Sequence, residues 1–466
     1  FLADPAVEKV FHAAEYDLRC MKRDFGDTFN NLFDTMVAAR ICGLKTIGLG
    51  SLLADLAGLK IDKSHQRDDW GQLYLYDLAT GRLKHQITKG EGNVTQLLRI
   101  DEESRGLIFQ AVGREKGRDP YFTHLYRIGM DGSGLTLLTP EDANHRIEFS
   151  PSGRWFVDTY SGIDKAPVTV LRSAGGGVLR ELEKADISGL KGLGWRPAQT
   201  FTVKARDGVT DLHGVIYLPP NLDTTRRYPV IDHIYPGPQG GSVGSRSFVP
   251  SRGDQRALAE LGFIVIALDG MGNPQRSKSF HDAWYGRMGD NTIPDQVTAI
   301  RQLAARHKWI DTTHIGIYGH SGGGNASTGA ILQYPDFFKV AVSQAGNHDN
   351  RLYEDDWGER YQGLLRGNNY DNQANQLLAK NLKGKLLLAH GTLDDNVPPY
   401  STLLLVNELI KHNKDFDQLM MPNRRHGFGN EPYMMRRRWD YFVKHLMGAE
   451  PPKNFQIVPN PTRMVQ

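Results

Sequence analysis

The pentapeptide Gly319-His320-Ser321-Gly322-Gly323 constrains this chain more than any other feature. It follows an apolar strand candidate, His314-Ile315-Gly316-Ile317-Tyr318, and precedes a helix candidate at 325–333. A serine in a sharp strand-to-helix turn exposes its hydroxyl at the C-terminal edge of a sheet. Side chains two residues to either side would collide there, which explains glycine at 319 and 323. From about Pro197 onward, apolar runs at 230–235, 263–268, 314–318, 340–343, 385–389 and 418–421 alternate with helical stretches such as 293–307 and 401–413. That alternation predicts a mainly parallel α/β sheet.

A serine hydroxyl is a weak nucleophile and needs a base that is itself oriented by an acid. In this strand–turn–helix context the expected chain order is serine, acid, histidine. The segment Leu386-Leu387-Leu388-Ala389-His390-Gly391-Thr392-Leu393-Asp394-Asp395-Asn396-Val397 is a buried strand running into a loop with two carboxylates. Asp394 is the first candidate for the acid and Asp395 the second. Arg424-Arg425-His426-Gly427-Phe428 follows the last strand, and His426 is the base candidate. His320 and His390 read as packing residues. An oxyanion hole is also required, and the backbone N–H after the nucleophile, that of Gly322, is one donor. Tyr235 ends the run Tyr228-Pro229-Val230-Ile231-Asp232-His233-Ile234-Tyr235-Pro236-Gly237-Pro238, and its phenol serves either packing or catalysis.

Composition narrows the alternatives. Hydrophobic residues make up 39% and charged residues 23%, which excludes a mainly disordered or collagen-like chain. The 56 basic and 53 acidic residues leave +3, too even a balance for a field that gathers nucleic acid or an anionic membrane. Two cysteines, Cys20 and Cys42, make neither a disulfide scaffold nor a Cys-rich zinc site. No apolar run reaches the roughly 18 residues of a membrane helix. The chain starts at Phe1 and nothing there reads as a signal peptide, so the start is expected to be processed or cut; a cytoplasmic or a periplasmic location both fit.

The 466 residues suggest about three domains. Residues 71–195 carry short alternating strands, such as Gln72-Leu73-Tyr74-Leu75-Tyr76-Asp77-Leu78, with turns at Asp131-Gly132 and Ser152-Gly153. That pattern predicts propeller blades, and the span holds only two to three of them. Residues 1–70 read as helical, from the spacing over 31–40 and the stripe Leu52, Leu53, Leu56 and Leu59. Residues 448–466 read as an extended tail.

These motifs resemble the prolyl oligopeptidase family of serine peptidases, most closely its dipeptidyl peptidase IV branch. Tyr228-Pro229 through Tyr235-Pro236-Gly237-Pro238 resembles the strand and loop with the oxyanion tyrosine, which implies a catalytic Tyr235. Asp269-Gly270-Met271-Gly272 resembles the branch's D-G-R-G turn. His390-Gly391-Thr392 with Asp394-Asp395-Asn396-Val397 resembles its H-G-T-x-D-D-N-V segment, implying Asp394 as triad acid and a substrate-carbonyl contact for Asn396, with Val397 beside it. Tyr353 and Trp357 fall where the family places two aromatics lining the proline-accepting S1 pocket. The elbow departs from the pattern: His320 and Gly322 stand where the branch usually has Trp and Tyr, which reshapes S1. Glycine-after-serine variants also occur in esterases and acylaminoacyl-type peptidases, so an esterase is the alternative.

The resemblance implies an α/β-hydrolase domain at 196–447 preceded by a partial β-propeller at 71–195. It also implies a peptide substrate, no metal or organic cofactor and no membrane partner; a homodimer stays open. Dipeptidyl peptidases hold the substrate's free amine with a Glu-Glu pair on an earlier propeller segment, and neither Glu102-Glu103 nor Asp68-Asp69 matches it. Residues 1–70 resemble a fragment of a ribonuclease D-type 3′–5′ exonuclease, with Asp17 at its second motif. One carboxylate does not make a two-metal site. The block's 11 acidic and 9 basic residues give no basic footprint for nucleic acid. The abrupt Trp70–Gly71 join, without a linker, reads as two gene fragments run together.

Overall fold

In the computed structural model, residues 9–11, 32–34, 38, 42, 56 and 71–458 are described. The chain divides into two compact units, Phe1–Asp69 and Trp70–Gln466. In the first, strand β1 (Lys9–Phe11) pairs in parallel with β2 (Leu32–Asp34). The helix expected over 31–40 is therefore replaced by strand at its start. A short apolar run such as Leu32-Phe33 fits either period, and the pairing with Val10 decides it. The leucine stripe at 52–59, apart from Leu56, and Asp17 lie outside the described residues.

The second unit opens with a hairpin, β3 (Tyr74–Tyr76) and β4 (Leu83–Gln86). Two four-stranded antiparallel sheets follow. The first contains β5 (Asn93–Asp101), β6 (Gly106–Val112), β7 (His124–Gly129) and β8 (Thr136–Leu137); the second contains β9 (Asn144–Phe149), β10 (Trp155–Ser161), β11 (Val168–Ser173) and β12 (Val178–Lys184). Two blades and a hairpin match the two to three expected from strand spacing. Within the second sheet, Arg172 of β11 reaches Asp158 of β10 at 2.9 Å and Glu141, in the loop before β9, at 2.6 Å, while His145 Nδ1 of β9 meets Asp158 at 2.9 Å. Glu141, His145 and Asp158 have the spacing of a metal cluster, but Arg172 already supplies their cation.

The C-terminal half is an eight-stranded sheet in the order β13–β14–β16–β15–β17–β18–β19–β20. Its strands are β13 (Gln199–Lys204), β14 (Asp211–Tyr217), β15 (Tyr228–His233), β16 (Ile264–Asp269), β17 (Ile310–His320), β18 (Val340–Gln344), β19 (Lys385–Gly391) and β20 (Asp417–Met421). The first two pairings are antiparallel, and every pairing from β15–β16 onward is parallel. Ile264–Asp269 and Val340–Gln344 are buried throughout, as strands covered on both faces must be. Helices α1 (Ile293–Arg306), α2 (Gly322–Gln333) and α4 (Tyr400–Lys411) bury Val297, Ile331 and Leu405 in one core cluster. Helix α5 (Pro432–Leu446) buries Phe442 and Leu446 in the other. A shorter helix, α3 (Asp355–Gln362), lies between α2 and α4 in the chain. Asp232, the penultimate residue of β15, is fully buried and neither carboxylate oxygen has a hydrogen-bond partner.

The loop after β15 is tied to the blades. Arg246 reaches Asp119 at 3.2 Å and Asp269 at 2.9 Å, and its guanidinium lies 4.2 Å from the Tyr121 ring centroid. Asn144 Nδ2 donates to Ser247 Oγ at 2.7 Å, and Phe248 N donates to Ser161 Oγ at 3.0 Å.

Candidate active site

The elbow forms where the spacing predicts it. Strand β17 runs to His320, Ser321 takes φ 60° and ψ −120°, and α2 starts at Gly322. A non-glycine residue in the left-handed region is strained, and such strain persists where the surroundings over-determine it. Here Ser321 N donates to Gln344 O of β18 at 2.8 Å, and Asn325 N donates to Ser321 O at 3.0 Å. The two outer glycines are required by close approach. A Cβ on Gly319 would meet Ile234 O at 2.4 Å, and one on Gly323 would meet the same oxygen at 2.2 Å. Gly322 is different, since a Cβ there would meet nothing nearer than Tyr235 Cε2 at 4.0 Å.

Two loops beyond the parallel strands bring the acid and base candidates together. Thr392 N donates to Met421 O at 3.0 Å, and Leu393 N donates to Arg424 O at 2.9 Å. These bonds align the loop after β19 with the loop after β20. His426 Nδ1 lies 2.8 Å from Asp394 Oδ2, which leaves Nε2 free for a proton from a nucleophile. Asp394 Oδ1 accepts from Asn396 N at 3.1 Å and from Val397 N at 2.9 Å. Burial opposes ionisation of Asp394, but the bonds from His390, His426 and Val397 N–H outweigh it and hold the carboxyl well below the usual range. Asp395, the second candidate, is exposed and pairs with Arg425 at 2.7 Å. The geometry therefore separates two carboxylates that the sequence leaves side by side.

His390 is a residue that sequence reasoning undervalued. Its Nε2 lies 3.2 Å from Asp394 Oδ2 and 2.9 Å from Val397 O, and its Nδ1 meets Thr402 Oγ1 at 2.8 Å. Asp394 is thus flanked by two imidazoles. The only sequence signal was a histidine four residues before a strand-end acid. His320 packs as expected, its ring centroid 4.8 Å from that of His426 and 5.5 Å from that of Phe428. Burial and the neighbouring His426 push its pKa down to about 4. Arg438 on α5 was not anticipated. It donates to Gly429 O at 3.2 Å and to Gln344 Oε1 at 2.7 Å, linking the base loop to the strand beside the elbow.

Tyr235 lies just past β15 with its ring edge toward Gly322. Its main-chain N–H donates to Ser242 Oγ at 2.9 Å, and its hydroxyl accepts from Gln239 Nε2 at 3.1 Å. Burial raises the phenol pKa against the smaller opposing effect of Gln239, so the hydroxyl stays protonated and able to donate. A cavity of about 40 Å³ adjoins Ser321, and Tyr353, Trp357 and Val397 all line it. The Tyr353 and Trp357 rings meet edge-to-face at 5.5 Å, and Tyr353 Oη donates to Asn396 Oδ1 at 3.3 Å.

Comparison with known proteins gives the same picture of relatedness. Residues 251–449 match the model of the prolyl oligopeptidase family. Residues 58–167 match the dipeptidyl peptidase IV N-terminal region, and residues 1–81 match a 3′-5′ exonuclease model, so the last two matches overlap at 58–81. Dipeptidyl peptidase 8 of Homo sapiens is 30% identical over 358 residues, covering 73% of this chain and 39% of that protein. Dipeptidyl peptidase 4 of Trichophyton equinum is 28% identical over 367 residues, covering 75% and 46%. The crystal structure of Porphyromonas gingivalis dipeptidyl peptidase 4 superposes with a TM-score of 0.72 at 26% identity, covering 82% of this chain and 54% of that one. The chain thus spans between about two-fifths and just under half of the length of these two curated relatives. With the elbow, the mixed sheet and the two blades, these matches show that the chain, over residues of about 58 to 449, belongs to the prolyl oligopeptidase family, in its dipeptidyl peptidase IV-like branch.

Proposed function

We propose that this chain is a serine peptidase that cleaves short peptides through an acyl-enzyme. Ser321 attacks the scissile carbonyl. His426 takes its proton through Nε2 and returns it to the leaving amine, and Asp394 orients His426 and stabilises the imidazolium. The Gly322 amide and the Tyr235 hydroxyl hold the oxyanion. Water then repeats the sequence on the ester carbonyl and releases the acid. The step needs no metal or organic cofactor. The observation that carries the reading is the 2.8 Å contact between His426 Nδ1 and a buried, strongly acidic Asp394, at the sheet edge where a strained Ser321 follows β17.

Labelling by a fluorophosphonate probe tests the nucleophile. The parent chain should label and Ser321→Ala should not; equal labelling of both removes the assignment. Dipeptidyl anilides compared with short acyl esters decide between peptidase and esterase, and turnover of esters alone would favour the esterase. We further propose that residues 1–70 are an incomplete exonuclease-like fragment, 71–195 the last blades of a propeller, 196–447 the hydrolase domain and 448–466 a tail. An Mg²⁺- or Mn²⁺-dependent loss of 3′ nucleotides, abolished by Asp17→Ala, would contradict the first of these.

A further inference from the structure

The cavity beside Ser321 has an unusual chemical character. Among its lining residues none is charged, and four carry carboxamides: Asn291, Asn325, Asn347 and Gln239. Asn347 is 6% exposed, and its Oδ1 has no hydrogen-bond partner. Its amide nitrogen is used within the protein, donating to Asn350 Oδ1. The Asn325 carbonyl oxygen is likewise occupied, accepting from Asn375 Nδ2 at 2.7 Å. Asn291 holds φ 46°, the left-handed conformation, so this wall carries backbone strain as well.

An unpaired buried amide costs free energy until a partner arrives. A charged substrate side chain would find no counter-ion here, and its desolvation would go uncompensated. An apolar side chain would bury the amide without satisfying it. A hydroxyl both donates and accepts, so it pairs with whichever end of the amide faces it. The room is small: 40 Å³ corresponds to roughly three water positions. The crossed rings of Tyr353 and Trp357 supply an apolar wall for a methyl group.

We infer that Asn347 makes this pocket select a small hydroxyl-bearing side chain, serine or threonine, on the residue whose carbonyl Ser321 attacks. The inference rests on the reading of Ser321 as the nucleophile. Proline, with no side-chain donor, is then the poorer occupant. Gly322 supports this, because it brings no side chain into the cavity wall that the amides form.

The test uses the full chain and matched substrates, as aminocoumarin amides and methyl esters: Ala-Thr against Ala-Val, Ala-Ser against Ala-Ala, and Ala-Pro. A site built to hydrogen-bond a group discriminates against its isostere, and one neutral bond corresponds to about tenfold. The wild type should therefore favour threonine over valine by about tenfold in kcat/KM, and Asn347→Leu should bring that ratio close to one. Fluorophosphonate labelling of Ser321 is run in parallel. A wild type that labels but turns over valine or proline as well as threonine, or better, overturns the inference and leaves the serine-hydrolase reading standing. A labelled Asn347→Leu that keeps the threonine preference overturns the role of Asn347. If Asn347→Leu does not label, the wild-type threonine-to-valine ratio decides alone. A wild type that does not label at Ser321 overturns both readings.

Discussion

Replacing Asp232 by asparagine should remove a pH dependence built into the centre of the sheet. Asp232 pairs through its backbone with Ile266 on one side and Ile317 on the other. Its carboxyl is buried among apolar groups with no partner, and burial alone pushes its pKa from 3.8 up to about 8. Between those two values the folded chain keeps a proton that the unfolded chain has released. The contribution of this group is therefore complete below about pH 4 and is lost as pH rises toward 8. At about 1.4 kcal/mol per unit, going from pH 5 to pH 8 should destabilise the wild type by on the order of 3–4 kcal/mol through this residue alone. A carboxamide cannot titrate, so Asp232→Asn should lack that component. Urea unfolding followed by tryptophan fluorescence at pH 5, 6.5 and 8 gives the comparison. The midpoints of the two proteins should diverge with pH, with the variant increasingly the more stable. Parallel midpoints across the range would show that the carboxyl is ionised in the fold, and would refute the reasoning.

Three further outcomes are expected. Asp394→Asn should lower kcat by about 10³–10⁴-fold, because the amide holds the wrong His426 tautomer, whereas Asp395→Asn should change kcat by less than about threefold; equal effects would reassign the acid. Tyr235→Phe should cost about 10²–10³ in kcat with little change in KM, the signature of a donor that acts in the transition state. Gly323→Ala should destabilise the fold by about 2–3 kcal/mol and abolish probe labelling, since its Cβ meets Ile234 O at 2.2 Å, while Gly322→Ala should leave the melting temperature nearly unchanged.

Local periodicity made most of the sheet legible. The run expected at 340–343 is Val340–Gln344, that at 385–389 is Lys385–Gly391, and the helix expected at 293–307 is Ile293–Arg306. These elements are buried on one stripe or both faces, so the apolar spacing carries their identity. The elbow was legible for a related reason: close approach to Ile234 O leaves room only for glycine at 319 and 323. What the sequence hid depends on pairing across long separations. The local segment ranks Asp394 ahead of Asp395, but the physical difference between them comes from the loop-to-loop bonds to Met421 and Arg424 and the contact with His426. Nothing local shows that His390 and His426 share one carboxylate, that Arg438 holds the base loop, or that Asp232 has no partner. The helical reading of 31–40 fails at Leu32–Asp34, which is strand, because so short an apolar run cannot declare a period, whereas Ala38 is helical as expected.

The loop that follows Tyr235 gains a further meaning from its bonds to the blades. Within about a dozen residues of the phenol, Arg246, Ser247 and Phe248 are each bonded to a propeller residue: Asp119, Asn144 and Ser161. The position of Tyr235, the proposed oxyanion donor, is therefore not a property of the eight-stranded sheet alone. The two blades act as a splint on the loop after Tyr235, and the proposed hydrolase domain cut free at about residue 196 would keep the proposed triad of Ser321, Asp394 and His426 while losing the brace behind the proposed oxyanion tyrosine. Excision would thus be felt first as slower turnover, before any loss of fold.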